Sequence, residues 1–143
     1  MRLVFKEVST IPEFVDYIRL RQEVFVLEQG FNSGFEPDED DKTAKHFIAL
    51  DDDRVVSTAR YRVIAPGEYK IERMTTEKDY RGKGIGKKLI EYLLGEIKKH
   101  KPNKIWLNSQ VQAQKFYENC GFKAVGKPFD EYGVMHILME YTR

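Results

Sequence analysis

Apolar and polar positions change period along the chain often enough to mark out its elements before any motif is considered. Leu3 to Val8 has strand character, and Thr10-Ile11-Pro12-Glu13 behind it combines capping-box spacing with an early proline, the signature of a helix start. Phe14, Ile18, Arg21 and Phe25 recur at helical spacing, so a helix is expected to run toward Glu28 with most of its apolar residues in the core. Gly30 to Lys42 carries no period and reads as a mobile stretch, with the acidic loop Glu36 to Asp41 as the nearest approach to a linker. His46 to Leu50 and Val55 to Val63 predict a hairpin across Asp51-Asp52-Asp53, and Pro66-Gly67 turns the chain into a further strand, Tyr69 to Thr76. Ile85, Leu89, Leu93 and Ile97 fall at strict four-residue spacing, a stripe that buries one helix face against a sheet before Pro102. Ile105 to Asn108 predicts a short buried strand, Val111 to Asn119 a short helix stopped by Gly121, and Phe122 to Val125 with Val134 to Tyr141 a closing antiparallel pair. This β-α-β-β-β-α-β-α-β-β order predicts an α/β fold, a mixed sheet with helices on both faces.

Composition narrows the function. The 143 residues, 41% hydrophobic and 13% aromatic, suffice for one well-buried core and are too few for two ordinary domains, so a single domain over residues 1–143 is expected. The 24 basic and 23 acidic side chains nearly cancel, and no aromatic-basic face accompanies them, which argues against a nucleic-acid partner. The single Cys120 excludes an internal disulfide, and with only three histidines the chain offers no thiolate-based metal site, so no metal is expected. Met1 to Lys6 turns polar too early for a signal-peptide core, and no apolar run approaches the roughly 18 residues of a spanning helix. A soluble, cytoplasmic protein without a membrane partner is expected.

Local charge is more informative than the total. Arg81-Gly82-Lys83-Gly84-Ile85-Gly86 lies between the Tyr69 to Thr76 strand and the amphipathic run Lys87 to Lys99, so it forms a glycine-rich loop opening a helix. Such a loop curls without Cβ clashes and turns first-turn N–H groups, backed by the positive end of the helix dipole, toward an anion. Arg81, Lys83, Lys87 and Lys88 add cationic charge where a helix alone would favour acidic residues. The nucleoside-triphosphate pattern fails, since it needs glycine at Arg81 and Ser or Thr at Lys88; the dinucleotide pattern fails because Lys87 stands where glycine is required.

What remains is the pattern Arg or Gln, two residues, Gly, one residue, Gly or Ala, filled by Arg81, Gly84 and Gly86, and it resembles the pyrophosphate loop of the GNAT superfamily of acyl-coenzyme A-dependent N-acetyltransferases. Glu72 to Gly82 resembles that family's fourth strand and following loop, and Ala113-Gln114-Lys115-Phe116-Tyr117-Glu118-Asn119-Cys120-Gly121-Phe122 its A-x-x-F-Y-E-x-x-G-F segment. Leu20-Arg21 to Gln29-Gly30 and Gly133 to Met139 extend the likeness toward both ends and resemble the ElaA-like branch.

The resemblance implies a mostly antiparallel mixed sheet with splayed central strands, acetyl-coenzyme A as co-substrate, and a small-molecule or peptide amine as acceptor. It places the cofactor on Met74, Thr75 and Thr76 at the strand edge, on Arg81, Gly82, Lys83, Gly84, Ile85, Gly86 and Lys87 in the loop, and on Gln110 and Phe116. Gln110 replaces the family's usual asparagine seven residues before the tyrosine. Tyr117 maps onto the tyrosine that protonates the departing thiolate, and Glu72 is placed to bind the acceptor ammonium or to relay its proton through water. Glu28, Gln29, His46, Asn108 and His136 lie in regions that would wall the acceptor side. Acceptor identity, acyl length and assembly, a homodimer included, stay open, and a non-catalytic acyl-coenzyme A binding or sensing module is the alternative.

Overall fold

The computed structural model describes residues 1–142. Strands β1 (Leu3–Glu7), β2 (Lys45–Asp51), β3 (Arg54–Ala65), β4 (Glu68–Thr76), β5 (Lys104–Gln110), β6 (Phe122–Glu131) and β7 (Val134–Tyr141) form one sheet in the order β1-β2-β3-β4-β5-β7-β6. Neighbours are antiparallel except β4 and β5, which run parallel. Helices α1 (Ile11–Arg21), α2 (Ile85–Lys98) and α3 (Gln114–Asn119) connect them in the expected order.

Alternation along β2 separates two cores. Phe47 packs with Leu89, Leu93 and Ile97 of α2, whereas its neighbour Ile48 packs with Tyr17 and Leu20 of α1, so the two helices cover opposite faces. The Thr10 hydroxyl and the Glu13 carboxylate close the capping box that starts α1. Phe116 and Tyr117 of α3 pack onto the α2 core.

Between β4 and β5 the sheet opens. Pairing runs from Glu68 with Lys104 to Ile71 with Leu107 and stops, although β4 continues to Thr76 and β5 to Gln110. On the other side of β4, Thr58 pairs with Thr75 while Arg60 pairs with Glu72, so β4 carries one extra residue. Arg73 takes a left-handed backbone there, φ +58°. A bulge of this kind bends its strand and reverses which side chains face which side.

One expectation, the helix toward Glu28, holds in altered form, and two are corrected. The helix that ends at Arg21 passes into π-helical turns over Gln22–Glu28 rather than continuing as α. The last hairpin is longer than expected, because Gly126 (φ +79°) and Pro128 interrupt the apolar pattern without ending β6, which resumes pairing at Phe129 with His136. The supposed mobile acidic stretch is a buried charge network. Arg21 and Arg60 are 0% and 1% exposed. Arg21 bonds Asp41 at 2.8 Å and also Glu36; Arg60 bonds Asp38 and Asp41 at 2.7 Å; Arg73 pairs with Glu36 at 2.8 Å and Asp38 at 2.9 Å. Charges this deeply buried persist only when paired, and here the acidic segment supplies the partners. Among the described residues no helix is long and apolar enough to cross a membrane.

Candidate functional site

The glycine loop folds as its sequence requires. Gly82 and Gly84 have φ of +77° and +78°, and a Cβ on either would meet no protein atom within 4 Å, so the backbone is bare toward solvent. Gly84 is the N-cap of α2; no side chain caps the helix and no acidic residue stands in its first turn. Its leading N–H groups therefore lack the usual internal acceptor. Lys83, Lys87 and Lys88 are exposed around them. Gly86 is closely packed: a Cβ there would lie 3.2 Å from Thr76 Oγ1, which would have to give way slightly, and 3.4 Å from the Phe116 ring. This donor set fits a pyrophosphate, held by backbone N–H groups and lysines.

Several expected cofactor contacts are otherwise engaged. The Ile85 side chain is buried against Ala49 and Val56, leaving only its backbone for a ligand. Arg81 donates to the Thr76 carbonyl at 2.8 Å and bidentately to Glu28 at 2.6 and 2.8 Å, so it straps the loop to the end of the π segment. Glu28, expected at the acceptor, serves as that strap's other half. Because the bulge at Arg73 reverses the alternation, Thr75 turns away from the opening and bonds Thr58 Oγ1 at 2.6 Å. Thr76 points to the start of α2. Phe116 packs on Gly86 and on the Tyr117 ring, whose centroid is 5.0 Å away.

A cavity of about 440 Å³ passes through the gap between β4 and β5. Ile71, Leu107 and Tyr117 line it from the α2 core, and Met74, Arg81 and Gln110 lie along its wall. Phe25, Glu72, Arg73 and Asn108 line the α1 side. Gln110 donates to Gln29 Oε1 at 2.9 Å, so two expected contacts, from the π segment and β5, meet across the mouth. The Tyr117 hydroxyl makes no hydrogen bond among the described residues. Burial, with Cys120 nearby, pushes its pKa well above the ordinary phenol value, so it stays protonated.

Glu72 reaches the cavity but is clamped. Arg60 donates to it at 3.0 and 3.1 Å, Arg62 at 2.7 and 2.9 Å, and Lys70 lies 3.2 Å away. Burial alone would raise its pKa, but the Arg62 hydrogen bonds and the charges of Arg60 and Lys70 outweigh it and hold the carboxyl at about 2. A carboxylate so stabilised is a poor proton acceptor near neutral pH, and its charge is already spent on three cations. The expected role as base or ammonium anchor is therefore replaced by a structural one. The stabilisation it confers is complete above the ordinary carboxylate range and vanishes as pH falls toward 2. Glu72→Gln should lose up to about 3 kcal/mol at about pH 7, with the deficit shrinking to less than half by about pH 3. Urea titrations at both pH values check this; an equal deficit at both would contradict it.

The two histidines diverge. His46 lies outside the cavity, held by the Tyr17 hydroxyl at 2.7 Å and the Asp41 carbonyl at 2.9 Å, and its placement at the acceptor is corrected. Burial lowers its pKa. His136 does line the cavity; its Nδ1 donates to the Val134 carbonyl at 2.8 Å and its Nε2 lies 3.8 Å from Glu131. Asn108 donates to Glu131 at 3.3 Å, while its buried Oδ1 has no partner among the described residues. Sequence reasoning missed Glu131, Tyr132, Phe31 and Phe35, all of which line the cavity. Tyr132-Gly133 as the turn of the last hairpin was the available signal.

Comparison with known proteins agrees with this geometry. The family model for the acetyltransferase (GNAT) domain matches residues 13–143. The chain is 30% identical to the uncharacterized N-acetyltransferase YjcF of Bacillus subtilis (strain 168), over 87% of this chain and 89% of that one. It is 30% identical to the protein ElaA of Escherichia coli (strain K12), over 91% and 88%. The crystal structure of Escherichia coli ElaA superposes with a TM-score of 0.88 at 25% identity, covering 99% of this chain and all of that one. With its uncapped loop, splayed strands and matching motifs, the chain belongs to the GNAT family of acetyltransferases.

Proposed function

We propose that the protein moves an acetyl group from acetyl-coenzyme A to a primary amine by direct attack in a ternary complex. One observation carries this: a single cavity runs through the strand gap from Tyr117 on the α2 side to a charged and aromatic compartment on the α1 side, with loop residue Arg81 in its wall. Donor and acceptor thus have separate approaches to one point. Acetyl-coenzyme A supplies an activated acyl carbon and a thiolate leaving group. The backbone of Gly82 to Lys87 with Lys83 and Lys87 would hold its phosphates, and the unpaired stretch of β4 near Met74 would hydrogen-bond the amides of its arm as an added strand does. Tyr117, kept protonated by burial, donates its proton to the thiolate as it leaves. The ammonium of the acceptor sheds one proton to water before attack, since Glu72 is unavailable, and the second proton, released from the nitrogen once it is bonded to the acyl carbon, restores the Tyr117 phenol.

Coenzyme A binding to Gly84→Val tests the cradle. A β-branched residue at φ +78° strains the loop by roughly 1–2 kcal/mol, and its side chain occupies the space the phosphates need. Calorimetry should show affinity falling at least about tenfold in a protein that still folds, and wild-type binding should weaken with salt. Unchanged affinity in the folded variant would remove this loop from the site.

A further inference from the structure

The charged residues lining the cavity are not equivalent. Lys70, Glu72 and Arg73 belong to one network in which the five cations Arg21, Arg60, Arg62, Lys70 and Arg73 meet the five carboxylates Glu36, Asp38, Asp40, Asp41 and Glu72; Arg81 is paired with Glu28. Glu131 alone has no lysine or arginine partner among the described residues, and its side chain is only 31% exposed. Its neighbours present further acceptors. His136 donates through Nδ1, so in its neutral form Nε2 carries a lone pair on the Glu131 side, and Asn108 Oδ1 is unpartnered. A carboxylate, an imidazole lone pair and an amide oxygen match a primary ammonium, which has three donors and no acceptor. One uncompensated negative charge calls for one positive charge.

Rings stand beside this cluster. Phe31 and Phe35 stack at 4.7 Å, the Arg73 guanidinium covers Phe35 at 3.9 Å, and Tyr132, the residue after Glu131, stands nearly perpendicular to Phe35 at 5.0 Å. Phe25 meets Phe35 at 5.6 Å. Tyr132 is 65% exposed, so the cluster is open at its outer end. We infer that the acceptor is a monoamine carrying an aromatic ring on a short chain, its ammonium held by Glu131 with Asn108 and His136 and its ring against Phe31 and Tyr132. This deepens the acetyltransferase reading and rests on it for turnover, but not for binding.

The test compares 2-phenylethylamine, n-butylamine and spermidine, by thiol release from acetyl-coenzyme A and by calorimetry in the presence of coenzyme A. Burying a ring-sized apolar group should favour phenylethylamine about tenfold or more over both others. Glu131→Gln should raise its KM by about tenfold with acetyl-coenzyme A affinity unchanged, and Phe31→Leu should narrow its lead over butylamine. Equal or better use of butylamine or spermidine, or an unaltered KM in Glu131→Gln, would overturn the inference while leaving acetyl transfer intact. Tightest binding of phenylethylamine with no thiol release from any amine would uphold the inference and sink the transferase reading. No measurable binding of phenylethylamine would overturn the inference.

Discussion

Tyr117→Phe is expected to slow acetyl transfer by roughly 10²–10⁴-fold, the span of a positioned general acid. The substitution keeps the ring and its edge contacts with Phe116 at 5.0 Å and Phe122 at 6.1 Å, so packing is preserved and only the hydroxyl is lost. A coenzyme A thiol is more acidic than a phenol, so the tyrosine has to give its proton only late, as the carbon–sulfur bond breaks. Because burial raises its pKa, the phenol stays protonated well into the alkaline range, and wild-type turnover should show no alkaline loss from this group near pH 10. Coenzyme A affinity should barely change. Turnover of the variant within a few-fold of wild type across the pH range would transfer the role to water or another side chain.

The second large effect concerns stability. Arg60 is buried and bonded to Asp38, Asp41 and Glu72, so Arg60→Met would leave three carboxylates short of their common cation. Removing one partner of a buried ion cluster costs about 3–5 kcal/mol, a large part of the 5–15 kcal/mol that typically separates folded from unfolded states. Denaturant unfolding should show this loss, and the variant should misplace the segment from Glu36 to Asp41 that carries Phe35 into the cavity wall. A loss below about 1 kcal/mol would mean that the network is not what holds the segment.

Local rules made much of this protein legible. The spacing of Ile85, Leu89, Leu93 and Ile97 named the buried face of α2, and the glycines at 82 and 84 named the left-handed turns at its start. Features set by distant partners were not legible. Arg21 and Asp41 are 20 residues apart and Arg81 and Glu28 are 53 apart, so neither sequence window reveals that the charges cancel. The orientation of Thr75 and Thr76 depends on one extra residue at Arg73, and a bulge leaves no trace in a period-two pattern this short. Glu72 illustrates both failures, since its strand was correctly located while its cross-strand partner Arg60 and neighbour Arg62 decided its chemistry. The charged and aromatic compartment of the cavity is assembled from the π segment, the loop after it and the last hairpin, which meet only once the sheet has closed.

The most direct test of acetyl transfer through the strand gap is product stoichiometry: purified protein with acetyl-coenzyme A and a panel of primary amines, the free thiol measured by a chromogenic reagent and the amine product by mass spectrometry. The mechanism predicts one coenzyme A thiol for each N-acetylated amine, with both signals lost together in Tyr117→Phe. Tight coenzyme A binding with thiol release at the same rate with and without every amine, and no acetylated product, would contradict it.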